Sequence, residues 1–482
     1  MAHSSDLAVP DPAHSGPEAA EGRPPRHRHS ASKREAGRRT TASPSIRPPG
    51  SWLTVLAFVI VAVPFAWAIV ALLTSSDHLT LPDDLALIDL HTRRALGWHQ
   101  QLGVFDHNNW NHPGPAYFYL QSFAYRLFGS SPRALFVGAA LWNGLAAVAC
   151  VAVVRRRTTP TRAVWTSLWV CALAMVLAIG GTAATTYSES VLGALVSPWN
   201  PMVVLFPLLL LVLLCASALD RSGPSLAGAV LVATYVAQAD ISVGPLAFTL
   251  VGAAGLCWLI TLVADRRGAG REEEVATGVT VSATAADPFE ASGHWHATTG
   301  MWRRVIVAAA LGGTVLAWVP PLVEQVTNHP GNVTLIVQFF NAGHPGQPLH
   351  AALWAFASGA SVLVLGPAEV MGSLLGNPPA HAGVAVAVSL ATVVVATAAA
   401  FAGLRARARF AGGLGVLVLV GCLASVVALT HVIGFIFGYL AIWVVVLPTA
   451  ACIAIGLVPL PEAVARRFAG TARAITVSRI VR

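Results

Sequence analysis

Runs of about 20 apolar residues recur along this chain, separated by more polar links, and that recurrence fixes the solvent in which it folds. A bilayer core roughly 30 Å thick is crossed by about 20 residues of α-helix. Helices and closed barrels are the structures that satisfy their own backbone hydrogen bonds in hydrocarbon. Spans are expected near residues 52–74, 132–154, 163–183, 200–219, 225–241, 243–264, 304–325, 381–403, 410–430 and 433–457. Composition points the same way: of 482 residues, 55% are hydrophobic and 11% charged, more apolar surface than a water-soluble core of ordinary make-up can bury. The expected fold class is all-α, polytopic and membrane-embedded, with about ten (10 to 12) transmembrane helices.

The arginines orient the bundle. Lys33 is the only lysine, and all but four of the 30 Lys and Arg fall in the two tails or in links on the same side as the tails. The exceptions are Arg93, Arg94, Arg126 and Arg133. Cytoplasmic links carry the Lys/Arg excess. Both termini are therefore expected in the cytoplasm, and the net charge of +8 is a membrane-orientation signal rather than a nucleic-acid signal. Residues 349–375 are apolar enough to span, but a span there would carry Arg405, Arg407 and Arg409 outside. They are expected on the outer surface, in a loop covering 326–380.

Residues 1–50, rich in Pro, Ser, His and Arg without apolar periodicity, read as a disordered basic tail. Residues 51–458 form the membrane domain, 265–302 a cytoplasmic loop, and 459–482 a second basic tail. The apolar run from Trp52 is too long for a signal peptide and is expected to stay attached as the first helix. The six cysteines all lie in apolar runs and read as small core residues, not as a disulfide framework or metal cluster.

Chemistry is expected in the first outer loop, residues 75–131, which holds Asp77, Asp83, Asp84, Asp89 and Asp106. TLPDDLALIDLHTRRAL (80–96) carries a helix start, with Pro82 and then Asp83 as the N-cap. Leu85, Leu87, Ile88 and Leu90 make that helix amphipathic, resting on the membrane surface. Asp89 and Arg93 stand four apart and suit an ion pair. Asp84 is not needed to start a helix. Pointed into a cavity and kept ionised by the helix N-terminus, such a carboxylate serves as a general base.

FDHNNWNHPGP (105–115) is the densest polar run, and its prolines make it a turning loop. Three readings stand open. Asn and Asp suit turns. His107 and His112, with Asp106, are metal-ligating types, although their spacing matches no standard zinc pattern. Trp110 among Asn and His offers a sugar an apolar ring face ringed by hydrogen-bonding groups. The Tyr/Phe-rich segment that follows suits an interfacial aromatic belt, and Arg126 beside it matches phosphate oxygens. Farther on, Glu324 and Gln325 follow Pro320 and Pro321 at the outer end of their helix. Glu324 is read either as a supporting or acceptor group of the site or as a plain interfacial carboxylate. Asp240, in a very short link, reads equally as a helix cap or a site residue.

The order of these segments resembles the GT-C superfamily of membrane glycosyltransferases, nearest to its dolichyl-phosphate-mannose-protein mannosyltransferase-like branch. Members of that branch read D-E-A or D-D early in the first outer loop, then H-P-P-L before an aromatic helix. Here Asp83 and Asp84, then His112, Pro113, Gly114 and Pro115, stand in those places, before a helix ending in LFGSSPRAL. No acidic residue follows Asp84, and Gly114 splits the prolines. SPWNP (197–201) also looks familiar, and AWVPPLVEQVTNHPGN (317–332) resembles a segment of actinobacterial members. The likeness runs over roughly residues 52–350.

What the resemblance implies is inverting transfer of a sugar from a polyprenyl-phosphate donor to a cell-envelope glycan, lipid or protein, at the outer face of the plasma membrane. Asp84, with Asp83 as understudy, would be the base. Arg126, with Arg93 or Arg94, would meet the lipid phosphate. His112 and Asn111 would orient the sugar or the base, with Trp110 and His107 also at the substrate. The resemblance leaves the cofactor unfixed, with a divalent metal open. The rivals are a transporter or flippase, which would put its polar groups near the bilayer midplane, and a GT-C-like scaffold without activity.

Overall fold

A computed structural model of the chain describes residues 51–76, 79–179, 193–276, 296–371 and 374–459. The two tails, the middle of the 265–302 loop, Asp77 and Glu189 lie outside the described residues. In chain order the elements are α1 (Ser51–Thr74), α2 (Asp83–Leu96), β1 (Phe105–Asp106), β2 (Trp110–Asn111), α3 (Ala116–Leu127), α4 (Pro132–Arg157) and α5 (Pro160–Ile179). Next come α6 (Gly193–Val196), α7 (Asn200–Val203), α8 (Leu205–Leu219), α9 (Gly223–Ala239), α10 (Gly244–Ala276), α11 (His296–Thr327) and α12 (Asn332–Asn341). Then follow α13 (Leu349–Leu365), α14 (Ala368–Met371), β3 (Leu374–Leu375), α15 (Ala382–Arg405), α16 (Arg409–Thr430), β4 (Ile436–Phe437) and α17 (Val446–Leu457).

Eight helices among the described residues are long and apolar enough to cross a membrane: α1, α4, α5, the continuous Asn200–Leu219, α15, α16, and the apolar parts of α10 and α11. The protein is an all-α, multi-pass membrane protein. Two expected spans, 225–241 and 433–457, are shorter apolar helices, Gly223–Ala239 and Ile442–Leu457. The second starts later than expected because β4 and a 3-10 turn (Gly438–Leu440) occupy its first residues.

Side-chain placement follows from the solvent. On α1, Ala57, Val61, Phe65 and Ala68 face the bundle while Val55, Val59, Val63 and Trp67 stay exposed, the reverse of what water would select. Hydrocarbon gives no drive to hide apolar groups, so close backbone approach holds the helices together. In α15 and α16 that approach is made by glycines: a Cβ on Gly415 would lie 2.5 Å from the Ala400 nitrogen.

Residues 349–375 are folded more deeply than a surface segment. Ala352, Ala355 and Ala360 of α13 are fully buried against its neighbours. Both flanks of α13 return to one turn. The Gln347 N–H donates to the Thr430 carbonyl at 2.8 Å, and β3 pairs antiparallel with β4. Both flanks of α13 thus meet the chain between α16 and α17.

The two ends of the bundle differ in chemistry. At one, Arg155 donates to Thr54 at 2.9 Å, and Arg157 donates to Ser217 at 2.9 Å and meets Asp220 at 3.4 Å. At the other, reached by running α1 forward and α4 backward, lie α2, the β1–β2 hairpin, the start of α3, the SPWNP segment and the α9–α10 junction.

Candidate functional site

α2 begins differently from the expectation. Pro82 holds the N-cap position with extended dihedrals and makes no side-chain capping bond. Its carbonyl accepts from the Leu85 N–H at 3.0 Å. Asp83, expected as the cap, is instead the first helical residue, exposed and at φ +45°. The cap position falls on Pro82, whose extended backbone already turns the chain into the helix. Leu85, Ile88 and Ala95 seat α2 on the bundle and leave Asp84 exposed at its start. Asp84 Oδ2 accepts the indole N–H of Trp199 at 2.9 Å. The Asp89–Arg93 pair forms at 2.8 Å, with the guanidinium also 5.9 Å from the centre of the Tyr125 ring.

The polar run 105–115 is a miniature hairpin. Asp106 pairs with Trp110, and Asn109 takes the left-handed turn position at φ +66°. Asp106 Oδ1 accepts from the Asn108 backbone N–H at 2.9 Å and from its side-chain amide at 2.7 Å, an Asx turn. Beyond the strands the ladder continues, with Gly103 N–H to His112 O at 2.9 Å and His112 N–H to Val104 O at 2.8 Å. The hairpin's work is to fix the backbone of His112.

A second set of bonds clamps the hairpin from outside. The Asn332 side chain accepts the Asn111 N–H at 2.7 Å and donates to the Asn111 carbonyl at 2.9 Å, copying a strand partner. Glu324, buried, accepts the Asn332 N–H at 3.0 Å and the Asn328 amide at 3.2 Å. Gln325 accepts the Val333 N–H at 2.8 Å, near the start of α12. Trp110 is buried, its ring centre 5.9 Å from that of Phe339 and 6.3 Å from that of Phe340, both on α12. Asn111, Trp110 and Glu324, expected around a substrate, are committed to protein. The long-range partner α12 uses up Trp110, and closing the 328–332 turn uses up Glu324.

His112 takes a different path. Its Nδ1 accepts the Ile241 backbone N–H at 3.0 Å. That nitrogen therefore carries no proton, and the neutral ring holds its proton on Nε2. Burial lowers the imidazole pKa, while the carboxylates of Asp240, Asp106 and Asp84 all lie near enough to pull it the other way. Burial wins. Asp240 is itself buried, its Oδ1 accepting from the Ser242 N–H at 3.0 Å and hydroxyl at 2.7 Å, so it caps the short turn before α10 and also faces His112.

SPWNP is the hub that joins these elements. The Pro198 carbonyl accepts the Tyr117 hydroxyl at 2.7 Å, Trp199 reaches Asp84, and the Asn200 amide donates to Ala239 O at 2.6 Å, next to Asp240.

Gln238 is a residue that the sequence reading did not single out. Pro321 lacks an N–H, so the carbonyl four residues back, Ala317 O, loses its helical partner. Gln238 Nε2 donates to that carbonyl at 3.0 Å, and Gln238 Oε1 accepts the Ala116 N–H at the start of α3 at 3.2 Å. A Cβ on Gly114 would lie 2.3 Å from the Gln238 amide carbon. That approach explains why glycine splits the two prolines. The available signal was a lone amide inside an apolar span.

Ala116 and Ala317, the two residues that Gln238 bridges, also line a cavity of about 710 Å³. Its walls are apolar, from Tyr119, Trp142, Leu210, Leu231, Leu316 and Pro320. Gln238 thus bridges two residues of the hollow's wall and lies two residues before Asp240, one of the carboxylates acting on His112.

The remaining expected residues stand apart. His107 is exposed at the hairpin tip, 3.6 Å from Asp106. Arg126 is exposed in the last turn of α3, ten residues or ~15 Å of helix beyond Ala116. Arg93 is nine residues beyond Asp84, ~13 Å along α2. Among the described residues no group of three His, Cys, Asp or Glu is placed to hold a metal ion. Comparison of the chain with protein-family models, with curated proteins and with solved structures returns no match.

Proposed function

We propose that this protein is a membrane glycosyltransferase that moves a sugar from a polyprenyl-phosphate donor to a hydroxyl acceptor of the cell envelope, outside the plasma membrane. One observation carries the reading: an exposed carboxylate acting on a neutral histidine, in a bundle that also holds an apolar cavity whose wall residues Ala116 and Ala317 are joined by Gln238. A donor that is both sugar and hydrocarbon needs that pairing of environments. The arginine-rich links at the opposite end favour an outward site.

In the reaction, Asp84 takes the proton of the acceptor hydroxyl. The acceptor oxygen bonds to the anomeric carbon from the face opposite the phosphate, and the sugar C–O bond to phosphate breaks with its electron pair leaving on the polyprenyl phosphate. Configuration inverts. Phosphate leaves without protonation, so one carboxylate suffices where a glycosidase uses two. His112 Nε2–H is a donor available to a sugar oxygen, and Trp199 holds Asp84 in place. Of the arginines expected at the phosphate, Arg93 is engaged by Asp89 and Arg126 is exposed ten residues along α3 from Ala116, so neither is assigned to the phosphate.

The test is transfer from a panel of polyprenyl-phosphate sugars by the full chain in nanodiscs, with Asp84→Asn beside it. Loss of transfer with an unchanged thermal midpoint is expected. Undiminished transfer by Asp84→Asn removes Asp84 as base, and no transfer by the wild type from any donor overturns the enzyme reading in favour of a scaffold.

A further inference from the structure

His112 joins two parts of the site that belong to different elements. Its backbone is part of the hairpin, where its carbonyl accepts the Gly103 N–H at 2.9 Å and its N–H donates to the Val104 carbonyl at 2.8 Å. Its ring serves the turn between α9 and α10, where Nδ1 accepts the Ile241 N–H at 3.0 Å. Behind it the strands are pressed together: a Cβ on Gly103 would lie 2.5 Å from the His112 Cβ. Rotation of the side chain parts the ring from Ile241 without breaking the hairpin.

A proton turns this link into a conflict. The neutral ring carries its hydrogen on Nε2, so an added proton goes to Nδ1. Nδ1–H and the Ile241 N–H would then be two donors facing each other at 3.0 Å, and the bond is lost. The charges around the ring reward its release. Asp240 just before Ile241, Asp106 on β1 and Asp84 at the start of α2 all favour the charged imidazole. Among the described residues no arginine acts on it. α12, packed on Trp110, carries no ionisable residue, and Glu324 is spent on Asn332 and Asn328.

We propose that His112 is an acid-operated latch: protonation turns its ring off the Ile241 N–H and unlinks the hairpin, with Asp106, from the α9–α10 turn, with Asp240. Such a latch works whether or not the protein transfers sugar. With the arginine-rich end inside, the acidity it senses is that outside the membrane. Linkage sets the size of the response. Burial holds the seated ring below its ordinary 6.5, while a ring turned into water titrates near 6.5. Above that pH both forms are neutral and acidity has no effect. Below it the released form takes up the proton that the seated form refuses, so each unit of pH multiplies the released fraction up to about tenfold.

The experiment follows amide hydrogen exchange of the full chain in nanodiscs between about pH 7.5 and about pH 5, each rate taken relative to an unstructured peptide at the same pH. Protection at Ile241 is expected to stay constant down to about pH 6.5 and then to fall about tenfold per unit. Leu205–Leu219 of α8 should keep its protection throughout. His112→Asn supplies an amide oxygen to the Ile241 N–H and does not titrate, so its protection at Ile241 is expected to be flat. His112→Gln, equally unable to titrate, replaces it if the asparagine protein does not fold. Flat protection at Ile241 in the wild type overturns the latch. So does a pH-dependent loss that persists in the variant, which would place the proton on another group. A loss shared by α8 overturns it too, as unfolding of the whole bundle.

Discussion

Replacing Gly114 by alanine tests whether Gln238 holds the site's framework, because the effect is fixed by two groups with no other partner. The new Cβ would stand 2.3 Å from the Gln238 amide carbon and 2.4 Å from its oxygen, so the amide must swing away. That movement strands the Ala116 N–H and the Ala317 carbonyl. Pro115, the N-cap of α3, offers no side-chain bond to the first, and Pro321 has no N–H for the second. A buried polar group left unpaired costs about 1–3 kcal/mol, so the pair costs about 2–6 kcal/mol. Gln238→Ala strands the same two groups and is expected to cost a similar amount. The double variant decides the matter. With the amide gone the Gly114→Ala methyl has room, and the two changes together should cost no more than Gln238→Ala alone. Unfolding by dodecyl sulfate in mixed micelles, followed by tryptophan emission, supplies the three differences for a double-mutant cycle. Additive costs would refute the shared framework, since contact through one amide requires coupling of the same order as each single loss.

Three further outcomes follow from other bonds of the site. His112 has a folded pKa below its ordinary 6.5, so as pH drops below about 6.5 the unfolded chain takes up a proton that the folded ring refuses, and stability falls with pH. His112→Asn should flatten that slope. His91, lowered by burial too, is present in both proteins and cancels, so an unchanged slope would contradict the assignment. Glu324→Ala should strand the Asn332 N–H, cost about 1–3 kcal/mol and speed amide exchange across 105–112, and unaltered exchange there would show that the clamp is idle. Trp199→Phe keeps a ring beside Tyr439 but removes the donor to Asp84. It should lower transfer while leaving the thermal midpoint in place, and full activity would mean Asp84 needs no orientation.

The spans were legible because length and apolarity are properties of a segment by itself. The start of α17 was not, since HVIGFIFGYL is as apolar as a helix and only its period of two, with Gly434 and Gly438, distinguishes a strand and turn. The same distinction divides the site. Turn chemistry in FDHNNWNHPGP was readable from Asp106, Asn108 and Asn109 because the bonds are two or three residues long. The fate of Trp110 was not, because Phe339 and Phe340 arrive from more than 200 residues away, and neither were the Asn332 and Glu324 clamps. Asp84 could be ranked above Asp83 from the sequence, because a second carboxylate is not needed to start a helix. What could not be read was the Trp199 indole, more than 100 residues on, that donates to Asp84.

The glycine between Pro113 and Pro115 and the place of the cavity have one physical origin. Pro320 and Pro321 release carbonyls that hydrocarbon cannot satisfy, so α11 needs a donor from a neighbour at that depth. Gln238 provides it, but a side-chain amide also carries an acceptor, and that acceptor finds the first free N–H of α3. For α3 to start so close to α9, the preceding turn must lack a Cβ, which selects glycine at 114. Once α3, α9 and α11 are pinned at that point, their apolar faces diverge below it and the hollow lined by Tyr119, Leu231 and Leu316 opens, while the residues just above it, His112 and Asp240, are brought face to face. One amide thus sets the boundary between a water-facing carboxylate group and a lipid-like chamber. On the glycosyltransferase reading proposed above, a donor whose sugar and lipid are joined by a phosphate would lie across that boundary.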